Sequence, residues 1–137
     1  MSSFTRFSGE LDLGPLNKKT GKRTVLKGFD YYVGSLTSGI WVHVPQGFET
    51  DGASVPKWLQ WLLPPFGKYG QAAVVHDMLY TTAAITVDGR NINITRARAD
   101  SIFLEAMGVL KVSSLVQNAM YLAVRLFGES HFKEEQK

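Results

Sequence analysis

The chain has 137 residues, of which 45% are hydrophobic and 20% charged, and its formal net charge is +3. This length and composition are typical of one globular domain with its own core. Because the chain has no cysteine, disulfides and thiolate metal sites are excluded, and any bound metal would depend on oxygen or imidazole ligands.

The amino-terminal half carries β-type sequence. Residues 24–26, 29–33 and 40–44 are rich in β-branched and aromatic side chains, which predicts a small antiparallel sheet. Residues 45–47 end this sheet. Ser54 is placed to cap a short helix over residues 56–63, which must end at the two prolines that follow.

The second half is predicted to be mainly helical. We expect a helix over residues 70 to about 82, a β-hairpin over 85–94 around an Asp-Gly turn, and a helix that begins after the cap residue Thr95. A last helix starts near Ser113 or Ser114 and ends at Gly128. The predicted fold class is α+β: a small N-terminal antiparallel sheet, then a core of three to four helices with a β-hairpin insertion.

The same pattern predicts the domain organisation. Residues 1–128 form a single globular domain, and residues 129–137 form a flexible polar tail. The helix after Thr95 is expected to bury a stripe formed by Ala99, Ile102, Phe103, Ala106 and Leu110. The last helix carries the apolar residues Leu115, Val116, Ala119, Met120, Leu122, Ala123 and Leu126.

Location and partners are constrained by what the sequence lacks. Residues 1–6 have no apolar core of the length that a signal peptide needs, and no run approaches about 20 apolar residues, so we expect a soluble product without a transmembrane segment. The basic cluster at residues 18–23 can contact an anionic surface but is more typical of a solvated turn. No nucleic-acid motif accompanies it, so we expect no nucleic-acid partner.

One apolar run, residues 73–80, contains an imidazole, a carboxylate and a phenol within five residues. In a helix His76 and Tyr80 share a face because they are four apart, and Asp77 lies about 100° around the axis. Helices joined by a short hairpin can return antiparallel, which would bring Asp100 beside His76. A carboxylate on one imidazole nitrogen leaves the other to take a proton from water, so the pair makes a hydrolytic base, with Tyr80 donating to Asp100.

A cation site is the next hypothesis. Asp77 can supply oxygen to a hard cation such as Ca²⁺, with further oxygens from loop carbonyls or from Asp51. Asp51 alone is also typical of a turn or a helix-capping position, because Asp-Gly is ordinary turn chemistry.

The order His-Asp-x-x-Tyr at residues 76–80, with Asp100 on the next helix, resembles the active-site core of the secreted phospholipase A2 superfamily. The resemblance implies His76 as base, Asp77 as calcium ligand, and Tyr80 and Asp100 as supports. The chain departs from that superfamily in having no disulfides and no evident glycine-rich calcium loop.

A second resemblance covers more of the chain. Motifs at residues 48–56, 65–67, 72–80 and 98–100 occur in the order found in a small family of tailed bacteriophages and prophages that is catalogued as a domain of unknown function. This resemblance implies a phage gene product, made in the host cytoplasm without a signal peptide and then virion-associated or delivered to the cell envelope.

The surrounding residues suggest where a substrate or partner binds. Trp58, Trp61 and Phe66 lie within nine residues, which is consistent with a lip facing a lipid or cell-envelope surface, an interface with phage structural proteins, or core filling. Arg96 and Arg98 are more typical of partners for acids than of substrate clamps, and a buried Asp100 would need such a partner. Arg98 is also a candidate binding residue.

Three functions remain open. The leading hypothesis is a phage-encoded hydrolase acting on ester bonds, such as those of phospholipids, with the His76–Asp100 pair and calcium at Asp77. The alternative is a non-enzymatic virion or host-interaction component in which the same residues form a structural His-Asp-Tyr network. A cell-wall hydrolase ranks lowest, because the three histidines are 33 and 55 residues apart and give no zinc-ligand spacing.

Overall fold

The computed structural model describes residues 6–15, 17–50, 70–129 and 132. In chain order its strands and helices are β1 (Arg23–Thr24), β2 (Phe29–Tyr32), β3 (Ile40–Val44), β4 (Glu49–Thr50), α1 (Gly70–Thr82), β5 (Ala84–Val87), β6 (Arg90–Asn93), α2 (Arg96–Val109) and α3 (Ser114–Phe127). The α+β class predicted from the sequence is confirmed. The short helix predicted over residues 56–63 lies outside the described residues.

The main sheet is antiparallel with strand order β2-β3-β5-β6, and β1 pairs with β4 in a separate two-stranded sheet. The Asp-Gly turn of the β5–β6 hairpin has positive φ at both Asp88 and Gly89, which matches the backbone that two-residue hairpins favour. In β3, Trp41 pairs with Thr86 of β5. The predicted hairpin therefore extends the N-terminal sheet instead of standing beside it.

The two faces of this sheet differ. Side chains alternate between faces along a strand, and the buried set consists of Phe29, Tyr31, Val42, Val44 and Ile85. Tyr32, Trp41 and His43, which alternate with them, are half-buried or exposed. One face therefore belongs to the core, which α1 also enters through its contacts with β3, and the other faces outward.

The three helices pack in series, α1 against α2 and α2 against α3. Thr95 accepts a hydrogen bond from the backbone N–H of Arg98 at 3.1 Å and caps α2, and Ser113 caps α3 in the same way. The predicted stripe of α2 is buried except at Leu110, which is half-buried at the C-cap. The capping residues are therefore those that the sequence indicated.

Helix α3 is apolar on two opposite sides. Met120, Ala123 and Val124 are buried against the core. Leu115, Leu122 and Leu126, predicted among the apolar residues of the same helix, are instead 81%, 57% and 62% exposed. The sequence pattern alone did not separate these two sets. Among the described residues, no helix combines the length and the apolarity that crossing a membrane requires.

Glu105 ties α2 to the sheet. Its carboxylate accepts hydrogen bonds from the Tyr31 hydroxyl and from the backbone N–H of Gly34 at 3.2 Å, and it lies 2.7 Å from the Arg6 guanidinium. Burial raises the pKa of Glu105, but these donors outweigh it and leave the pKa below its usual value. A single ionised side chain thus holds the helix, the strand β2 and the N-terminal segment together.

Replacing Glu105 by alanine should lower the free energy of unfolding by about 1 to 3 kcal/mol, because the Tyr31 hydroxyl and the Arg6 guanidinium lose their shared acceptor. Urea unfolding at neutral pH measures this. Glu129→Ala, at an exposed glutamate, is the matched control and should change little. Equal losses in the two variants would contradict this role for Glu105.

Candidate active site

The packing of α1 on α2 brings together the side chains that the sequence singled out. His76 and Tyr80 lie one turn apart on α1 and face Asp100 in the first turns of α2. The His76 Nε2 atom is 2.7 Å from Asp100 Oδ1, and the Tyr80 hydroxyl donates to the same oxygen at 2.6 Å. One carboxylate oxygen therefore holds both ring side chains of α1.

The second oxygen of Asp100 is held by arginines. Arg125, in the last turn of α3, donates from Nη1 to Asp100 Oδ2 at 2.7 Å, and Arg96 Nη1 is 3.7 Å from the same oxygen. Arg96 also donates to the carbonyls of Val124 and Arg125 at 3.0 and 3.3 Å. These carbonyls belong to the C-terminal end of α3, where a positive charge is stabilised by the helix dipole. Asp100 thus connects all three helices.

Burial and charge decide the protonation of this cluster. The side chains of His76 and Asp100 are completely buried. Burial raises the pKa of Asp100, but hydrogen bonds from His76 and Tyr80 and the Arg125 guanidinium outweigh it and hold the pKa below its usual value. Burial, reinforced by the bond to Asp100, raises the pKa of Tyr80 well above its usual value. At neutral pH Asp100 is therefore a carboxylate and Tyr80 a neutral phenol.

The ionised acid fixes the tautomer of the imidazole. A carboxylate only accepts hydrogen bonds, so Nε2 of His76 carries the proton of this contact. In the neutral ring the lone pair is then on Nδ1. The ring centroid lies 4.1 Å from that of Tyr80 and 4.7 Å from that of Phe103, so the imidazole is held by packing as well as by Asp100.

Tyr80 is fixed from the other side by the chain after α3. Its ring meets Phe132 edge-on at a centroid distance of 5.1 Å. A Cβ atom at Gly128 would lie 2.5 Å from the Val124 carbonyl oxygen and 2.8 Å from the Tyr80 hydroxyl oxygen. Because φ of Gly128 is −86°, the glycine serves close approach here and not a left-handed backbone. Gly128, predicted only as a helix end, thus makes room for Tyr80.

Two predicted site residues stand apart from this cluster. Asp77 is half-buried on the neighbouring stripe of α1, and Arg98 is exposed on α2, whereas Arg96 and Arg125 are the arginines that contact Asp100. The predicted residues Asp51, Trp58, Trp61 and Phe66 lie outside the described residues.

In the described part of the chain, no group of three or more histidine, aspartate and glutamate side chains is placed to hold a metal ion. The carboxylate of Asp77 is one ligand, whereas Ca²⁺ takes six to eight oxygens. Calcium binding at Asp77 would therefore need further oxygens from outside this group of residues.

Sequence reasoning missed Arg125. It is the only charged residue in α3, and it lies in the last turn. A single arginine in an otherwise uncharged helix indicates an acidic partner elsewhere in the fold, but the partner becomes evident only when α3 is placed against α2.

The pH dependence of stability follows from the lowered pKa of Asp100. Its contribution is complete above the unfolded pKa of about 4 and is lost as the pH falls through the lower folded pKa. Asp100→Asn should lower stability at pH 7 by about 2–4 kcal/mol and weaken the dependence on pH below about 4. Urea unfolding at a series of pH values tests this. Asp88→Asn, at an exposed turn aspartate, should behave like the wild type, and equal curves for the two variants would contradict the assignment.

Comparisons with known proteins place the chain in a family. Neither the curated proteins nor the solved structures gave a match. A family model described as "Protein of unknown function (DUF1353)" matches residues 24–124, a range that contains His76, Tyr80 and Asp100 and ends one residue before Arg125. Since the match covers most of the chain, the protein belongs to the DUF1353 family of proteins of unknown function.

Proposed function

We propose that this protein is a phage-encoded hydrolase of ester bonds, in which His76 is the general base and Asp100 the acid that orients it. The observation that carries the proposal is the 2.7 Å contact between His76 Nε2 and Asp100 Oδ1, with Tyr80 and Arg125 completing the shell around the same carboxylate. This arrangement gives the neutral imidazole one defined tautomer, which general-base chemistry requires.

The energetics of burial support a chemical role. Replacing a buried ionic cluster by packed apolar side chains is often neutral or stabilising, so the cluster is not explained by stability alone. Buried titratable groups with shifted pKa values are typical of functional sites. Here the pKa of Asp100 is lowered and that of Tyr80 is raised within one hydrogen-bonded group.

The reaction that these residues support is hydrolysis by water. Because the His76 side chain is completely buried, this reaction requires the site to open and admit water and ester. His76 Nδ1 then takes a proton from the water molecule while the water oxygen attacks the ester carbonyl carbon, and the ionised Asp100 stabilises the resulting imidazolium. The imidazolium then returns the proton to the departing alkoxide, so that water and ester become acid and alcohol. Tyr80 and Arg125 keep Asp100 ionised and in place.

The substrate we propose is a phospholipid of the cell envelope. The resemblance of residues 76–80 and Asp100 to the phospholipase A2 core supports this, and the motifs shared with phage and prophage proteins support action during infection or lysis. The aromatic residues Trp58, Trp61 and Phe66 would face the lipid. The protein would be made in the host cytoplasm and then be virion-associated or delivered to the envelope.

The role of His76 is tested by His76→Gln, whose amide nitrogen can still donate to Asp100 but cannot act as a base. Hydrolysis of dispersed and micellar phospholipid in the presence of Ca²⁺ should fall about 10²- to 10⁴-fold. His43→Gln is the matched control, because His43 forms an exposed pair with Asp30 at 2.6 Å. If wild type and His76→Gln are equally inactive on both substrate forms, the hydrolase proposal fails.

The second part of the proposal is a Ca²⁺ ion bound by Asp77 and Asp51. Such a cation would polarise the ester carbonyl. Chelation should abolish the hydrolysis, and Asp77→Asn should raise the Ca²⁺ concentration needed for half-maximal rate, about tenfold or more. Asp12→Asn, at an exposed aspartate, serves as control. A rate that is insensitive to chelation would refute the calcium role and leave the His76 assignment standing.

The complete burial of His76 and Asp100 favours a second candidate function. In this alternative the cluster fixes the packing of the helices in a virion or host-interaction component, and no variant hydrolyses an ester. The structural alternative then predicts that His76→Gln changes the melting temperature only.

A further inference from the structure

A separate cavity of about 220 Å³ lies where α1 meets the sheet. Its lining includes Trp41, His43, Met78, Thr82, Thr86 and Asn91. Met78 and Thr82 follow His76 by two and six residues, which places them about 200° and 240° around the helix axis from it. The cavity is therefore on the other side of α1 from the Asp100 cluster.

The lining has no acidic, lysine or arginine side chain and combines apolar surface with polar groups. None of the residues that line it is Lys, Arg, Asp or Glu, so an ionic ligand would find no charge partner among them. The Trp41 indole and Met78 supply apolar surface, while Thr82, Thr86 and Asn91 supply polar groups. Such a lining fits a neutral ligand that has both an apolar face and hydroxyl groups.

Existing hydrogen bonds fix what the polar groups offer. Thr86 Oγ1 donates to Asn91 Oδ1 at 3.4 Å, which leaves the amide NH₂ of Asn91 for other acceptors. The Asp30 carboxylate accepts from His43 Nδ1, so in the neutral ring Nε2 is an acceptor. Within the described residues, the Asn91 NH₂ and the Trp41 indole N–H donate to no protein acceptor. The Asn91 NH₂ group, the Trp41 indole N–H and, in the neutral ring, one His43 nitrogen as acceptor are thus available on the residues that line this cavity.

We propose that this cavity binds one ring of a neutral saccharide. A sugar ring presents C–H groups that pack on an indole face, and its hydroxyls both donate and accept hydrogen bonds, which matches Trp41, Asn91 and His43. The volume is below the roughly 300–1,000 Å³ of pockets for larger ligands, in keeping with a single ring. The inference rests on the cavity alone and is independent of the hydrolase proposal.

The test is titration of the full chain with N-acetylglucosamine, glucose and galactose, each to about 50 mM, followed by saturation-transfer NMR. At least one sugar should bind in the millimolar range, and Asn91→Ala should weaken that binding about tenfold. Asn93→Ala is the matched control, since Asn93 is exposed on the same strand and does not line the cavity. His76→Gln should leave sugar binding unchanged.

Several results would overturn the saccharide site. They are no binding of any of the three sugars, equal affinities of the wild type and Asn91→Ala, or tighter binding of adenosine than of every sugar. Trp41→Ala removes the stacking surface and should abolish binding. Because Trp41 lies within the central strand β3, Asn91→Ala on the exposed strand β6 decides the outcome if Trp41→Ala does not fold.

Discussion

The arrangement of the helices depends on the solvation of one buried carboxylate. Asp100 is completely buried, and an ionised acid in that position is tolerated only if donors from the protein replace the solvent. The donors come from α1 through His76 and Tyr80 and from α3 through Arg125. Sliding either helix by one turn, about 5.4 Å, would break these bonds, so the acid specifies how the three helices fit together.

Helix α2 carries a second carboxylate, that of Glu105, and the two carboxylates contact different neighbours. Glu105 follows Asp100 by five residues, which places it about 140° around the axis. Asp100 therefore faces the neighbouring helices, and Glu105 faces β2 and the N-terminal segment through Tyr31 and Arg6. Both acids have pKa values below the usual ones for the same reason, because donors outweigh the cost of burial. α2 is thus the element that joins the helical and β parts of the fold.

The unit formed by α1, the hairpin and α2 supplies residues both to the buried cluster and to the cavity. Its helices supply His76 and Asp100 to the buried cluster, and its hairpin supplies Thr86 and Asn91 to the cavity against β3. The cavity depends on the hairpin extending the N-terminal sheet, because the β3–β5 pairing places Trp41 beside Thr86. The cluster and the cavity lie on opposite sides of α1, so residues of one can be substituted while the other keeps its side chains.

The sequence by itself determined the features that arise from neighbours along the chain: the caps Thr95 and Ser113, the Asp-Gly turn, and the helical spacing that puts His76 and Tyr80 on one face. Motif order likewise indicated a family of unknown function, which the match over residues 24–124 supports. Only the tertiary structure decided which oxygen each donor reaches, that Arg125 completes the cluster, and that three leucines of α3 face outward. The physical reason is that capping and periodicity act within a few residues, whereas the compensation of a buried charge depends on side chains far apart in the chain.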